Sequence, residues 1–128
     1  IQMLPRPHWE MPRFLAAADL VVLPQRDTPY ARAQIPGKVF EAMAMAKPIV
    51  ASAVSDLPSI LDGCGVVVPP NDSRALCRAI IRILDNEQFA VELGRNARKK
   101  CIERYSWDRM EQQLDETLCE LKVRANAA

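Results

Sequence analysis

The chain has 128 residues, 49% of them hydrophobic, so it is the size of one domain and can bury a real core instead of remaining disordered. Its 17 Lys and Arg stand against 16 Asp and Glu, a formal net charge of +1, which leaves no global field to recruit nucleic acid or an anionic membrane. The longest apolar runs are about six residues, against the roughly 20 that a membrane-spanning helix needs, and no signal-peptide pattern opens the sequence. A soluble, cytoplasmic protein is expected, able to sit at the inner face of a membrane and without a nucleic-acid partner.

Ile1-Gln2-Met3-Leu4 reads as a short strand, and Pro5 to His8 as a loop in which His8 is a solvated residue. Glu10 then precedes a helix with Pro12 in its first turn, where a missing amide hydrogen does little harm. Phe14, Leu15 and Ala18 form its expected buried face. Asp19-Leu20-Val21-Val22-Leu23-Pro24 is an uninterrupted apolar run closed by proline, the pattern of a buried parallel strand. The connection from Gln25 to Gln34 is long beside the usual 2–6 residues, and it leaves the carboxyl end of a strand, where open parallel sheets bind ligands.

A helix from Gly37 to Ala46 is predicted to bury Val39, Phe40, Met43 and Ala46. Ala42 and Ala44 keep its profile thin, and Pro48 stops it. Pro36 and Gly37 stand at its start, so unpaired amides and the positive end of the helix dipole face the preceding loop. Lys38 adds a point charge, and a phosphate or diphosphate suits that combination. Taken alone, Glu41 reads as a solvated helix acid.

Pro48 to Ser52 and Gly65 to Pro69 predict two more strands, separated by a short helix containing Pro58, Ile60 and Leu61, capped by Ser55 and Asp56 and closed by Asp62-Gly63. Asp72 caps a helix with Ala75, Leu76, Ala79, Ile80, Ile83 and Leu84 inward and Arg74, Arg78 and Arg82 on a solvated face. The next helix, about 86–104, carries Phe89, Leu93, Ala97 and Cys101 on one side. Ser106 caps the last, whose stripe of Met110, Leu114, Leu118 and Leu121 is wide enough for one neighbour, and residues 124–128 are expected to fray. The cysteines, 13, 24 and 18 residues apart, have no zinc-site spacing. They are read as reduced, with those beside Leu76, Ile102 and Leu118 acting as small apolar fillers and no metal bound. No Walker or dinucleotide loop, nucleophile elbow or paired metal-binding histidines occur.

The runs at 19–24, 35–44, 47–52 and 65–68, together with Tyr105-Ser106-Trp107, resemble the C-terminal domain of group 1 glycosyltransferases, with the segments in family order over about residues 1–120. The resemblance implies an α/β fold: a Rossmann-like parallel sheet flanked by helices, in an incomplete C-terminal domain of the GT-B fold. It also implies a retaining enzyme whose C-terminal domain holds a nucleotide-sugar. Residues 1–105 would be a partial donor-binding domain. Residues 106–128 would be a helix crossing back to an N-terminal domain that this chain lacks, so that the chain alone is not catalytic. No cofactor is implied; the partners are a nucleotide-diphosphate sugar and a sugar, lipid or glycan acceptor.

The family's donor site uses two glutamates separated by seven residues. Glu41 matches the second, which in relatives holds the ribose hydroxyls. Counting back eight gives Ala33, so the sugar-side carboxylate is absent, and Gln34 and Pro36 stand where glycines often follow it. Amides near Gly37 and Lys38 would meet the diphosphate, completing a donor set of Glu41, Lys38, Gly37, Gln34 and Ala33. Because Ala33 departs from the pattern, a non-catalytic nucleotide-binding or partner-interaction α/β module stays open beside glycosyl transfer. A signalling receiver predicts an acidic pair at a strand end, whereas Asp19 opens its strand.

Overall fold

Three apolar runs become three parallel strands in a computed structural model that describes residues 7–126. A 3-10 turn, His8–Glu10, leads into α1 (Met11–Ala17), followed by β1 (Val21–Leu23), α2 (Pro29–Arg32) and α3 (Lys38–Ala44). Then come β2 (Ile49–Ser52), α4 (Leu57–Leu61), β3 (Val66–Val68), α5 (Ser73–Leu84), α6 (Glu87–Tyr105) and α7 (Trp107–Asn126). The sheet order is β1-β2-β3, with Val21 beside Ile49, Leu23 beside Ala51 and Val50 beside Val66. This is the α/β class expected, a parallel sheet flanked by helices.

All four residues of β2 are buried, which is why it reads as a continuous apolar run instead of an alternating one. Its pleat divides the core in two. Ile49 and Ala51 join Val39, Met43, Leu57, Leu61 and Ala97 on one side. Val50 joins Val68, Ala79, Ile83 and Leu93 on the other. Each large side chain so buried contributes about 1.5–3 kcal/mol.

Helix ends are satisfied by side chains whose chemistry fits the end they meet. At the amino ends, Thr28 accepts from the Ala31 amide (3.2 Å), Asp72 from Ala75 (2.8 Å), Asn86 from Phe89 (2.9 Å) and Ser106 from Arg109 (3.3 Å). At the carboxyl ends the partners are cations. Lys47 donates to Ala16 O at the end of α1 (2.8 Å), and the Arg98 guanidinium donates to Ala44 O at the end of α3. Lys100 donates to Ser59 O and Asp62 O around the end of α4, both at 3.0 Å. Gly94 lets α6 lie directly on the turn after α3, where an added Cβ would come within 2.1 Å of Ala46 O.

Several expectations need correction. None of α1 is buried, and Phe14 is exposed, because this two-turn helix faces the side of α3 and not the sheet. Neither Ser55 nor Asp56 caps α4: Asp56 has φ −87° and ψ 7°, not the extended backbone that turns a side chain back onto the first amides, and Ser55 has φ 53°. Cys77 and Cys119 are exposed, since they fall on the outer faces of α5 and α7; the buried thiols are Cys64 and Cys101. Ala46 ends in the left-handed region (φ 53°) just past α3 and is half-buried, not a core residue of that helix. Leu84 is exposed, while Arg82 lies over the Phe89 ring at 4.6 Å. The last helix continues to Asn126, beyond the point where fraying was expected. The strand expected at Ile1–Leu4 lies outside the described residues.

Candidate functional site

The loop after β1 folds back on itself before it reaches α3. Gln25 N bonds to Leu23 O (3.0 Å), and Thr28 with Pro29 then starts α2, a single turn anchored by the buried Ala31. Asp27 and Arg32 clasp this turn from its two ends, Asp27 accepting from Arg32 Nε at 2.5 Å and from Nη2 at 2.7 Å. Those hydrogen bonds and the guanidinium charge hold the Asp27 carboxyl below the usual carboxylate range and push Arg32 up. Ala33 closes α2, its amide bonding to Pro29 O and Tyr30 O, each at 3.2 Å.

Ala33 and Gln34 are exposed on the strip between α2 and α3, and Gly37 and Lys38 are exposed at the start of α3. The amides of Val39, Phe40 and Glu41 already bond to Pro36 O (3.0 Å), Gly37 O (3.1 Å) and Gly37 O (3.3 Å). An anion arriving there would therefore meet the amides of Gly37 and Lys38 and the Lys38 ammonium. A Cβ added to Gly37 would touch nothing within 4 Å, so the approach is open.

Glu41 is half-buried in the first turn of α3. It forms part of the wall of a cavity of about 280 Å³ whose other walls are Trp9, Met11, Pro12, Leu15, Ala44 and Met45. The predicted residues Gly37, Lys38 and Glu41 thus share one helical turn, and Ala33 and Gln34 lead directly into it. An apolar slot with one carboxylate suits a ligand that is flat and apolar at one end and carries hydroxyls beside it.

Trp9 and the Asp27–Arg32 clasp were not anticipated from sequence. An exposed tryptophan in a proline-rich stretch, and an acid and an arginine flanking Thr-Pro, were the available signals. Trp9 reaches the cavity wall through the 3-10 turn that precedes α1.

A parallel α/β unit with its polar loop at the carboxyl ends of the strands belongs to the open-sheet α/β class, in which ligands bind at that edge. More particularly, the sequence profile described as "Glycosyl transferases group 1" matches residues 3–86, and the chain belongs to that family. It is similar to MMP alpha-(1->4)-mannosyltransferase of Mycolicibacterium hassiacum, 35% identical over 101 residues, covering 77% of this chain and 23% of that protein. Among solved structures it is similar to sucrose-phosphate synthase from Thermosynechococcus elongatus (TM-score 0.74, 31% identical, 87% of this chain and 27% of that one). It is also similar to Anabaena Alr3699/HepE in complex with UDP and glucose (TM-score 0.72, 26% identical, 86% of this chain and 29% of that one). The chain spans less than a third of the length of these relatives.

Proposed function

We propose that this chain supplies the nucleotide-sugar half of a glycosyltransferase active site. Glu41 accepts from the two ribose hydroxyls, Gly37 and Lys38 face the diphosphate, and the base enters the cavity against Trp9. Ala33 and Gln34 lie toward the sugar. The observation that carries this reading is the position of Glu41, in the wall of an apolar cavity and within one turn of an open, cationic helix start. The UDP and glucose of the HepE complex, a similar structure, support it.

In that role the Gly37 and Lys38 groups offset the charge that develops on the leaving diphosphate, a preorganised electrostatic contribution that needs neither metal nor cofactor. Transfer goes to a glycan, lipid or small acceptor with retention of anomeric configuration. Residues 1–105 form the donor-binding part, and α7, within 106–128, carries its apolar stripe toward a second domain of the enzyme. A non-catalytic nucleotide-binding module is the second reading, favoured by the methyl group of Ala33 where a carboxylate would serve the sugar.

The test is calorimetric titration of UDP and GDP into the chain and its Glu41→Gln variant. Replacing a charged acceptor of two hydroxyls should weaken binding of whichever nucleotide is preferred about tenfold or more. Equal affinity of variant and parent would remove Glu41 from the site.

A further inference from the structure

The carboxyl ends of all three strands meet in a crevice of about 440 Å³ that shares no residue with the cavity at Glu41. Gln25 enters it from the end of β1, Ser52 from β2 and Val68 from β3, and Ser73 and Leu76 close it from the start of α5. Several of its polar groups lack a protein partner. Ser52 is the buried polar residue of the described core, 5% exposed in a strand otherwise made of Ile49, Val50 and Ala51. Its hydroxyl has no hydrogen-bond partner among the described residues. Gln25 Oε1 is closed off from solvent and has no partner there either. At the start of α5, Asp72 takes the Ala75 amide on its carboxylate (2.8 Å) and the Leu76 amide on its carbonyl (3.1 Å). The amides of Ser73 and Arg74 are left without a partner among the described residues.

Buried polar groups without partners are costly, and those gathered at one crevice call for a partner from outside the chain. Their chemistry narrows it. The glutamine oxygen and the Asp72 carboxylate accept, the α5 amides donate, and the Ser52 and Ser73 hydroxyls do both. Alcohol hydroxyls, which also do both, answer such a mixed set. An anion would be repelled by the Asp72 carboxylate at the same helix start, and a wholly apolar ligand would leave the polar groups unpaired. Pro24, Val68, Pro69 and Leu76 give the crevice apolar walls, which suit the C–H face of a sugar ring. The terminal torsion of a glutamine is soft, so the Gln25 amide can turn to meet a hydroxyl.

We infer that this crevice is a second binding site, for a neutral sugar ring, with Gln25 and Ser52 hydrogen-bonding its hydroxyls. The ring is a free monosaccharide or the terminal residue of a glycan. The inference does not depend on where a nucleotide binds.

The test is amide chemical-shift mapping by NMR with glucose, mannose and maltose, each to about 100 mM, enough to saturate a millimolar site. At least one sugar should shift the amides of Gln25, Ser52 and Ser73 and saturate, while glycine betaine, neutral overall and without hydroxyls, leaves them unmoved. Tighter binding of maltose than of glucose assigns the terminal ring of a glycan, and the reverse a free monosaccharide; both support the site. Gln25→Met and Ser52→Ala should each weaken the best-bound sugar about fivefold or more. Gln25→Met also removes the oxygen that has no partner, so without sugar its urea midpoint should be no lower than the parent's. No saturable response to any of the three sugars, an equal response to betaine, or undiminished affinity in both variants would overturn the inference. A lowered midpoint for sugar-free Gln25→Met would make Gln25 a structural residue and overturn its part in it.

Discussion

Gly94→Ala sets two well-calibrated effects against each other. In an isolated helix the substitution stabilises, by about 1 kcal/mol. Here a Cβ would stand 2.1 Å from Ala46 O and 2.9 Å from the Ala46 carbonyl carbon, so α6 and the end of α3 would have to part by about 1 Å. The carbonyl cannot easily retreat. Ala46 N donates to Met43 O (3.0 Å), Lys47 N donates to Ala42 O (3.0 Å), and Arg98 holds Ala44 O from α6 itself. Overpacking against fixed backbone costs about 1–3 kcal/mol, at the upper end or beyond for so close an approach. The net expectation is a loss of about 2 kcal/mol, or a melting temperature lower by about 10 °C in a domain of this size. Urea and thermal denaturation followed by far-ultraviolet circular dichroism measure it. A midpoint unchanged or raised would refute the packing argument, because it would mean that helix propensity outweighs the contact.

Three more expectations follow from the caps and the buried thiols. Asp72→Ala should cost about 1 kcal/mol through loss of its bond to the Ala75 amide, whereas Asp56→Ala should stay within about 0.5 kcal/mol because no cap bond exists there; equal losses in urea denaturation would contradict the assignment. A thiol reagent should modify Cys77 and Cys119 promptly and Cys64 and Cys101 only as the fold opens, which timed mass spectrometry of native protein will read. Burial pushes the Cys64 thiol up, with Asp62 adding to the effect and Lys100 opposing it, and burial pushes Cys101 up as well. A raised folded-state pKa gives stability that is complete below the ordinary thiol range and is lost as pH rises through and beyond it. The urea midpoint should therefore fall on the alkaline side, and Cys64→Ala should flatten that fall.

What could be read from sequence was whatever depends on local pattern. The run at Ile49–Ser52 announces a central parallel strand because burial on both faces leaves no alternation to blur it. Asp72 and Ser106 announce helix starts because an N-cap is a contact three residues long. Gly37, Lys38 and Glu41 fall within one turn of helix, which is local, but the part given to Glu41 came from the resemblance, since alone it reads as a solvated acid. The failures concern distance. Phe14 has helical spacing appropriate to a core, but whether α1 covers the sheet or the flank of α3 is decided by packing that no short window contains. Ser55 and Asp56 have the composition of a cap without its backbone, and the φ of 53° at Ser55 carries no sequence mark. The cavity shared by Trp9 and Glu41 joins residues 32 positions apart, and the bond from Arg98 to Ala44 O spans 54. Nothing local encodes such pairs.

The central claim is that a nucleoside diphosphate binds where α3 begins, and amide chemical-shift mapping by NMR during titration with UDP and GDP tests it most directly. The account predicts that the preferred nucleotide shifts the amides of Gly37, Lys38 and Glu41 and the indole N–H of Trp9. Millimolar nucleotide without any response in residues 33–41, or a response confined to other parts of the surface, would contradict it.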